Sequence, residues 1–312
     1  MTPVKTKGAW RRVCVTLRRW EIGLRMRELH GDPDAWLLES KLPADDSLWS
    51  QTRAHPAADA PVGPGSAIDL VESELRLRLY VVHDYFAGLR TATGARSPYS
   101  LHVLCRATIE ACAYATWVFD PAAQPAERLL RGLQLTQDPL RRRLNSLRQV
   151  ASEATSADGA ALDSEMVSAM DSVTALQEHV RQLVRDLHAE LEAAQKYPGS
   201  KPRAVPSATR RVTEMLCNEM GMPHEIDAYN RMSGIAHSKA LAIIDTWSWD
   251  TKRPSIDYFS FLEFLHLALC SIDFMLERRE ACWGETRNGR KLHTIIDRVE
   301  RIIEGEPGLQ PS

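Results

Sequence analysis

The segment from Pro98 to Val118 constrains the fold more than any other, because the helix it would form is apolar on almost every side. Ser97-Pro98 offers an N-cap with proline at the first helical position, and Pro121 forbids continuation. Between these stops run Leu101, Val103, Leu104, Cys105, Ile109, Cys112, Trp117 and Val118 with four alanines among them. A helix that is hydrophobic all round belongs in an interior, so other elements must cover it.

The covering elements also read as helices. Nothing between residues 66 and 304 sustains period-2 alternation, whereas apolar residues recur at spacings of three and four in block after block. Ser66 and Asp69 resemble a capping box that starts a helix over 67–93, closed near Gly94. A helix over 125–136 follows, and Asp138-Pro139 restarts the chain into a basic segment, Leu140 to Val150. The polar stretch Ser152 to Gly159 reads as loop. Residues 161–195 place Leu176, Val180, Leu183, Val184, Leu187 and Leu191 on one stripe of a long amphipathic helix. Lys196 to Arg211, with prolines at 198, 202 and 206, reads as a basic linker. Helices are expected over 207–220, 223–247, 256–283 and 290–304, with Gly221, Gly284 and Gly305 as ends.

The expected architecture is therefore all-α: a helical bundle with a long amphipathic helix and an irregular N-terminal extension. Residues 1–65 form the extension, with a basic helix near 8–29, isolated Trp36 and Trp49, and a linker from His55 to Gly65. Residues 66–305 form the bundle, and 306–312 a disordered tail. At 312 residues the chain is long enough to bury a sizeable core. Thirty-nine basic against 41 acidic residues leave a net charge of −2, which excludes a global positive field that recruits nucleic acid or anionic membrane. No segment reaches the run of roughly 18 apolar residues of a membrane span, and no secretory leader is evident, so a cytoplasmic protein without membrane contact is expected. The six cysteines include no Cys-x-x-Cys pair and read as reduced, structural thiols.

Two polar constellations interrupt this pattern. On the apolar helix, His102, Arg106 and Glu110 fall at i, i+4 and i+8 and line one stripe. Burying an ionised Arg or Glu alone costs several kcal/mol, so these groups need each other, a facing helix or a ligand. The second constellation is Tyr229-Asn230-Arg231-Met232-Ser233-Gly234-Ile235-Ala236-His237-Ser238. Tyr229, Ser233 and His237 share a face, with Asn230 beside His237. Six of the ten histidines stand five to seven positions after an arginine. His237 is set apart by its Tyr, Ser and Asn companions.

The Arg231-x5-His237 segment, late in an all-α chain whose earlier helix carries Arg106-x3-Glu110, resembles the HEPN superfamily of nucleotide-binding and ribonuclease domains. It is especially similar to bacterial members with a Tyr-x3-Ser-x3-His helix. The resemblance implies a metal-independent endoribonuclease, or an RNA- or nucleotide-binding protein, of a toxin or phage-defence system, with the site assembled across a homodimer. His237 would be the general acid/base and Arg231 the stabiliser of phosphate charge, supported by Asn230, Ser233 and Tyr229.

Two other readings stand beside it. One is a non-catalytic interaction protein with an internal network of His102, Arg106 and Glu110, and the 161–195 helix as a surface for a protein partner. The other is a DNA-binding regulator, since 207–235 places Gly221 between two short helices with Arg210-Arg211 at the start of the first. Glu263-x2-His266 has the spacing of a di-iron helix, but a second such motif is missing. No Cys/His zinc spacing or Gly-rich phosphate loop appears along the chain, so the sequence calls for no metal or other cofactor.

Overall fold

A computed structural model describes residues 43–95, 98–158, 164–194, 205–236, 247–248, 253–254, 258–284 and 290–304. The fold is an all-α helical bundle, with two short antiparallel ladders as the strand content of the described residues. The helices are α1 (Leu48–Arg53), α2 (Ala67–Ala95), α3 (Pro98–Val118), α4 (Pro125–Asp158), α5 (Ser164–Ala193), α6 (Ala208–Thr213), α7 (Ile226–Ala236), α8 (Tyr258–Trp283) and α9 (Arg290–Glu304). The basic 8–29 segment, the 306–312 tail and residues 196–204 of the expected Lys196–Arg211 linker lie outside the described residues, and the end of that linker is already helix, in α6.

The all-round apolar helix takes the central place. α3 packs against α2, α4, α6, α7 and α8, which is why none of its faces can be polar for long. α4 and α5 pair along their length. The stripe of α5 buries Val180, Val184, Leu187 and Leu191, so the apolar side of this helix is already used and its outer face carries Glu178, Arg181 and Arg185. The capping box forms as expected. Ser66 donates through its backbone N–H and hydroxyl to Asp69 at 3.0 and 2.7 Å, and these bonds hold the Asp69 carboxyl below its usual range.

Three boundaries differ from the sequence reading. α4 runs straight through Pro139 and on to Asp158. Proline removes the bond to the carbonyl four residues back, a cost of about 3 kcal/mol. Here Leu144 and Ala151 beyond it are buried, so the helix persists because its second half packs on α5. The expected helix over 223–247 is described as helix only to Ala236, and Trp247–Ser248 pair as a strand with Arg253–Pro254.

The third difference is in the linker segment. His55 to Gly65 holds a 3-10 turn at Pro56–Asp59 and an antiparallel pair, β1 (Pro61–Val62) with β2 (Gly65–Ser66). Ala58 and Val62 join the same core as the bundle. Trp49 on α1 stacks on Trp283 with centroids 4.8 Å apart and donates to Glu72 at 2.8 Å. Arg128 is only 1% exposed and seals the junction. It donates to the Leu48 carbonyl at 2.8 Å, Thr52 Oγ1 at 2.7 Å and the Ala123 carbonyl at 2.5 Å. Gly284 ends α8 at φ +75°, and a Cβ there would meet Ala44 at 2.9 Å.

Candidate functional site

Both polar constellations meet where α3, α7 and α8 converge. Helical spacing directs His102, Arg106 and Glu110 to one side of α3, and that side faces α7 and α8. Arg106 Nε donates to Glu110 Oε1 at 2.7 Å, and Tyr229 from α7 donates its phenol to the same oxygen at 2.8 Å. One carboxylate oxygen thus joins the two constellations. Tyr229 is fully buried, while Arg106 and Glu110 keep 16% and 23% of their side-chain surface in solvent. Burial, followed by the charge of Glu110, pushes the Tyr229 phenol up to about 12. Burial opposes the charge on Arg106, but Glu110 and Tyr229 outweigh it and hold the guanidinium above its usual range.

α8 closes the junction. The buried His102 ring lies 4.8 Å from the Phe264 ring, and the Arg231 guanidinium sits over the same ring at 5.4 Å. Arg231 Nη2 pairs with Glu263 of α8, yet 53% of its side chain remains exposed. Five N–H donors on a guanidinium are not exhausted by one carboxylate oxygen. Asn230 is exposed and Ser233 half-buried. His237 follows Ala236 directly and lies outside the described residues.

The approach to α7 explains how it is held. α6 passes into a π-helical turn at Glu214–Glu219, then Gly221 at φ +69° and the 3-10 turn Pro223–Glu225 redirect the chain. Arg211 points inward. Its Nε donates to the Ala113 carbonyl at 2.8 Å, Nη2 donates to Thr116 Oγ1 at 3.0 Å, and Nη1 pairs with Glu219. Of the Arg210-Arg211 pair, then, only Arg210 faces outward, where it pairs with Glu214 at 2.9 Å.

Sequence reasoning identified five members of the junction and missed Glu263 and Phe264. Glu263 was noticed only with His266, as half of a di-iron spacing, and the two side chains diverge. Glu263 goes to α7, whereas His266 turns towards α9, where it meets Glu300 at 3.0 Å, with Cys270 of its own helix at 3.3 Å. His266, Cys270 and Glu300 offer ligand atoms within 4.8 Å of one another, as do Asp273, Glu277 and His293 about a heptad away. Burial, then Glu300, Asp273 and Glu225, push the Cys270 thiol up to about 12. The described cysteines are all free thiols, and burial raises Cys105 and Cys112 strongly. No helix among the described residues is long and apolar enough to cross a membrane.

Compared with protein-family models, curated proteins and solved structures, the chain matches none.

Proposed function

We propose that the α3–α7–α8 junction handles RNA or a nucleotide, and that the protein is a metal-independent endoribonuclease of the HEPN-like kind. The observation that carries this reading is the Tyr229–Glu110 hydrogen bond, which fixes the face of α7 against the polar stripe of α3. With Tyr229 turned inward, the half-exposed Arg231 stands at the rim, steadied by Glu263 and Phe264. A held guanidinium with donors to spare suits the charge that develops on a phosphodiester in flight. His237, as general acid/base, takes the proton of the attacking 2′-hydroxyl and returns one to the 5′-oxygen that leaves. Glu110, Arg106 and Tyr229 are positioning residues in this scheme.

A second reading has its own support. Arg106 and Tyr229 both bond to Glu110, and Arg231 already has a carboxylate, as in an interaction protein whose polar groups only set helix register. One experiment separates the two. Purified full-length protein is incubated with single-stranded RNA in EDTA, as wild type and as His237→Ala, with circular dichroism confirming the fold of both in the same buffer. The nuclease reading predicts cleavage that falls at least about 100-fold in the variant. Cleavage unaffected by the substitution, or none from folded wild type, contradicts it.

A further inference from the structure

We propose that His266, Cys270 and Glu300 bind a zinc ion between α8 and α9, at a site that does not depend on the RNA-handling junction. His266 and Cys270 stand four residues apart on α8, one turn of the same face, and Glu300 reaches them from α9. The contacts His266–Glu300 and His293–Asp273 pair low positions on one helix with high positions on the other, so the two helices run antiparallel. That arrangement splits the ligands over two elements, which is why no zinc spacing is visible along the chain.

The chemistry of the contact set asks for a cation. His266 Nε2 lies 3.0 Å from Glu300 Oε1 and 3.3 Å from Cys270 Sγ. A single ring nitrogen carries either a proton or a lone pair. Protonated, it serves the carboxylate first; unprotonated, it accepts from the thiol and opposes the carboxylate, so one proton does not serve both contacts fully. A metal ion at the centre satisfies all three electron pairs at once. Tetrahedral zinc with bonds of about 2.0–2.3 Å needs N···O and N···S separations of about 3.3 and 3.6 Å, so these two contacts open by about 0.3 Å, and the sulfur and the carboxylate already lie within 4.8 Å of each other.

Charge and softness agree with this. Asp273 and Glu225 add negative potential around Cys270. One sulfur, one imidazole nitrogen and one carboxylate suit zinc better than the hard cations, which prefer all-oxygen sets. Three protein ligands leave a fourth position open to water, and Glu300 is half-exposed. The neighbouring Asp273, Glu277 and His293 lack sulfur, and Glu277 and His293 are exposed, so they serve as an internal control.

Full-length protein, stripped with chelator and dialysed, is titrated with zinc chloride in competition with a chromophoric chelator, and separately with cobalt(II). The expected result is one zinc per chain and a thiolate-to-cobalt charge-transfer band. Cys270→Ser removes the band, Cys270→Ser and Glu300→Gln each weaken zinc by about 100-fold or more, and His293→Ala changes neither. Absence of stoichiometric zinc or of the cobalt band in wild type overturns the proposal without recourse to any variant. So does a folded Glu300→Gln or Cys270→Ser protein that keeps wild-type affinity, or a loss that follows His293→Ala instead.

Discussion

The molecule uses arginine in two opposite ways at its two junctions. Where α1 meets α4 and α8, Arg128 is closed in by backbone carbonyls and a threonine hydroxyl beneath a stack of Trp49 on Trp283. Where α3, α7 and α8 meet, Arg106 and Arg231 are held by the carboxylates Glu110 and Glu263 and keep part of their surface in water. A guanidinium spent on carbonyls in the interior has no donor to offer a ligand and serves the fold. One balanced against a carboxylate at the surface can exchange that partner for a phosphate, because both are oxyanions that fit the same fork.

This contrast is open to attack by substitution. Trp49→Ala removes a fully buried ring and its bond to Glu72, and is expected to cost about 4 kcal/mol in urea unfolding. Arg128→Met removes a charged donor from the Leu48 and Ala123 carbonyls and from Thr52 Oγ1, and is expected to cost about 3 kcal/mol. If either change is nearly neutral, the N-terminal junction is not the sealed one. Tyr229→Phe deletes one bond to a carboxylate and should cost about 1.5 kcal/mol.

The same variant carries a pH signature. The Tyr229 phenol is pushed from 10.0 up to about 12 in the fold, so the unfolded chain loses that proton first. The stability it contributes is complete below pH 10 and is lost as pH rises towards 12. Plotting the stability difference between wild type and Tyr229→Phe against pH should show that gap shrink over this window. A constant gap would mean that the phenol is not held protonated by its surroundings. Arg231→Ala, at the half-exposed end of the scale, should change stability by no more than about 0.5 kcal/mol.

The helices were largely legible, and so was the centrality of α3, because an all-round apolar surface has only one kind of place to go. The lone Trp49 was visible, but its partners Phe119, just past the end of α3, and Trp283 of α8 stand 70 and 234 positions away, a separation no local pattern spans. Pro139 misled because helix-breaking is a local rule, overridden here by the packing of Leu144 and Ala151. Within the site, His102, Arg106 and Glu110 could be found as polar exceptions on an apolar helix. Sequence singled out Arg106 among the 31 arginines, yet Arg128 and Arg211 are the more deeply buried. Arg211 sits near a helix start among polar neighbours and Arg128 stands in the first turn of α4 beside Glu127, Leu129 and Leu130, and the carbonyls that hold them come largely from distant segments. Glu300 was hidden because an exposed-looking acid on an amphipathic helix reveals its partner only once the neighbouring helix is in place; Glu263 was visible among Phe261, Leu262, Phe264 and Leu265, but its partner Arg231 was not.

The central claim is that Arg231 is spared for a phosphate while the buried arginines hold the fold. Its most direct test is the single-turnover cleavage rate of an RNA oligonucleotide by Arg231→Ala, measured alongside thermal melting. The account predicts a melting curve close to wild type and a rate reduced by about 100-fold or more. A wild-type rate from the folded variant would contradict it.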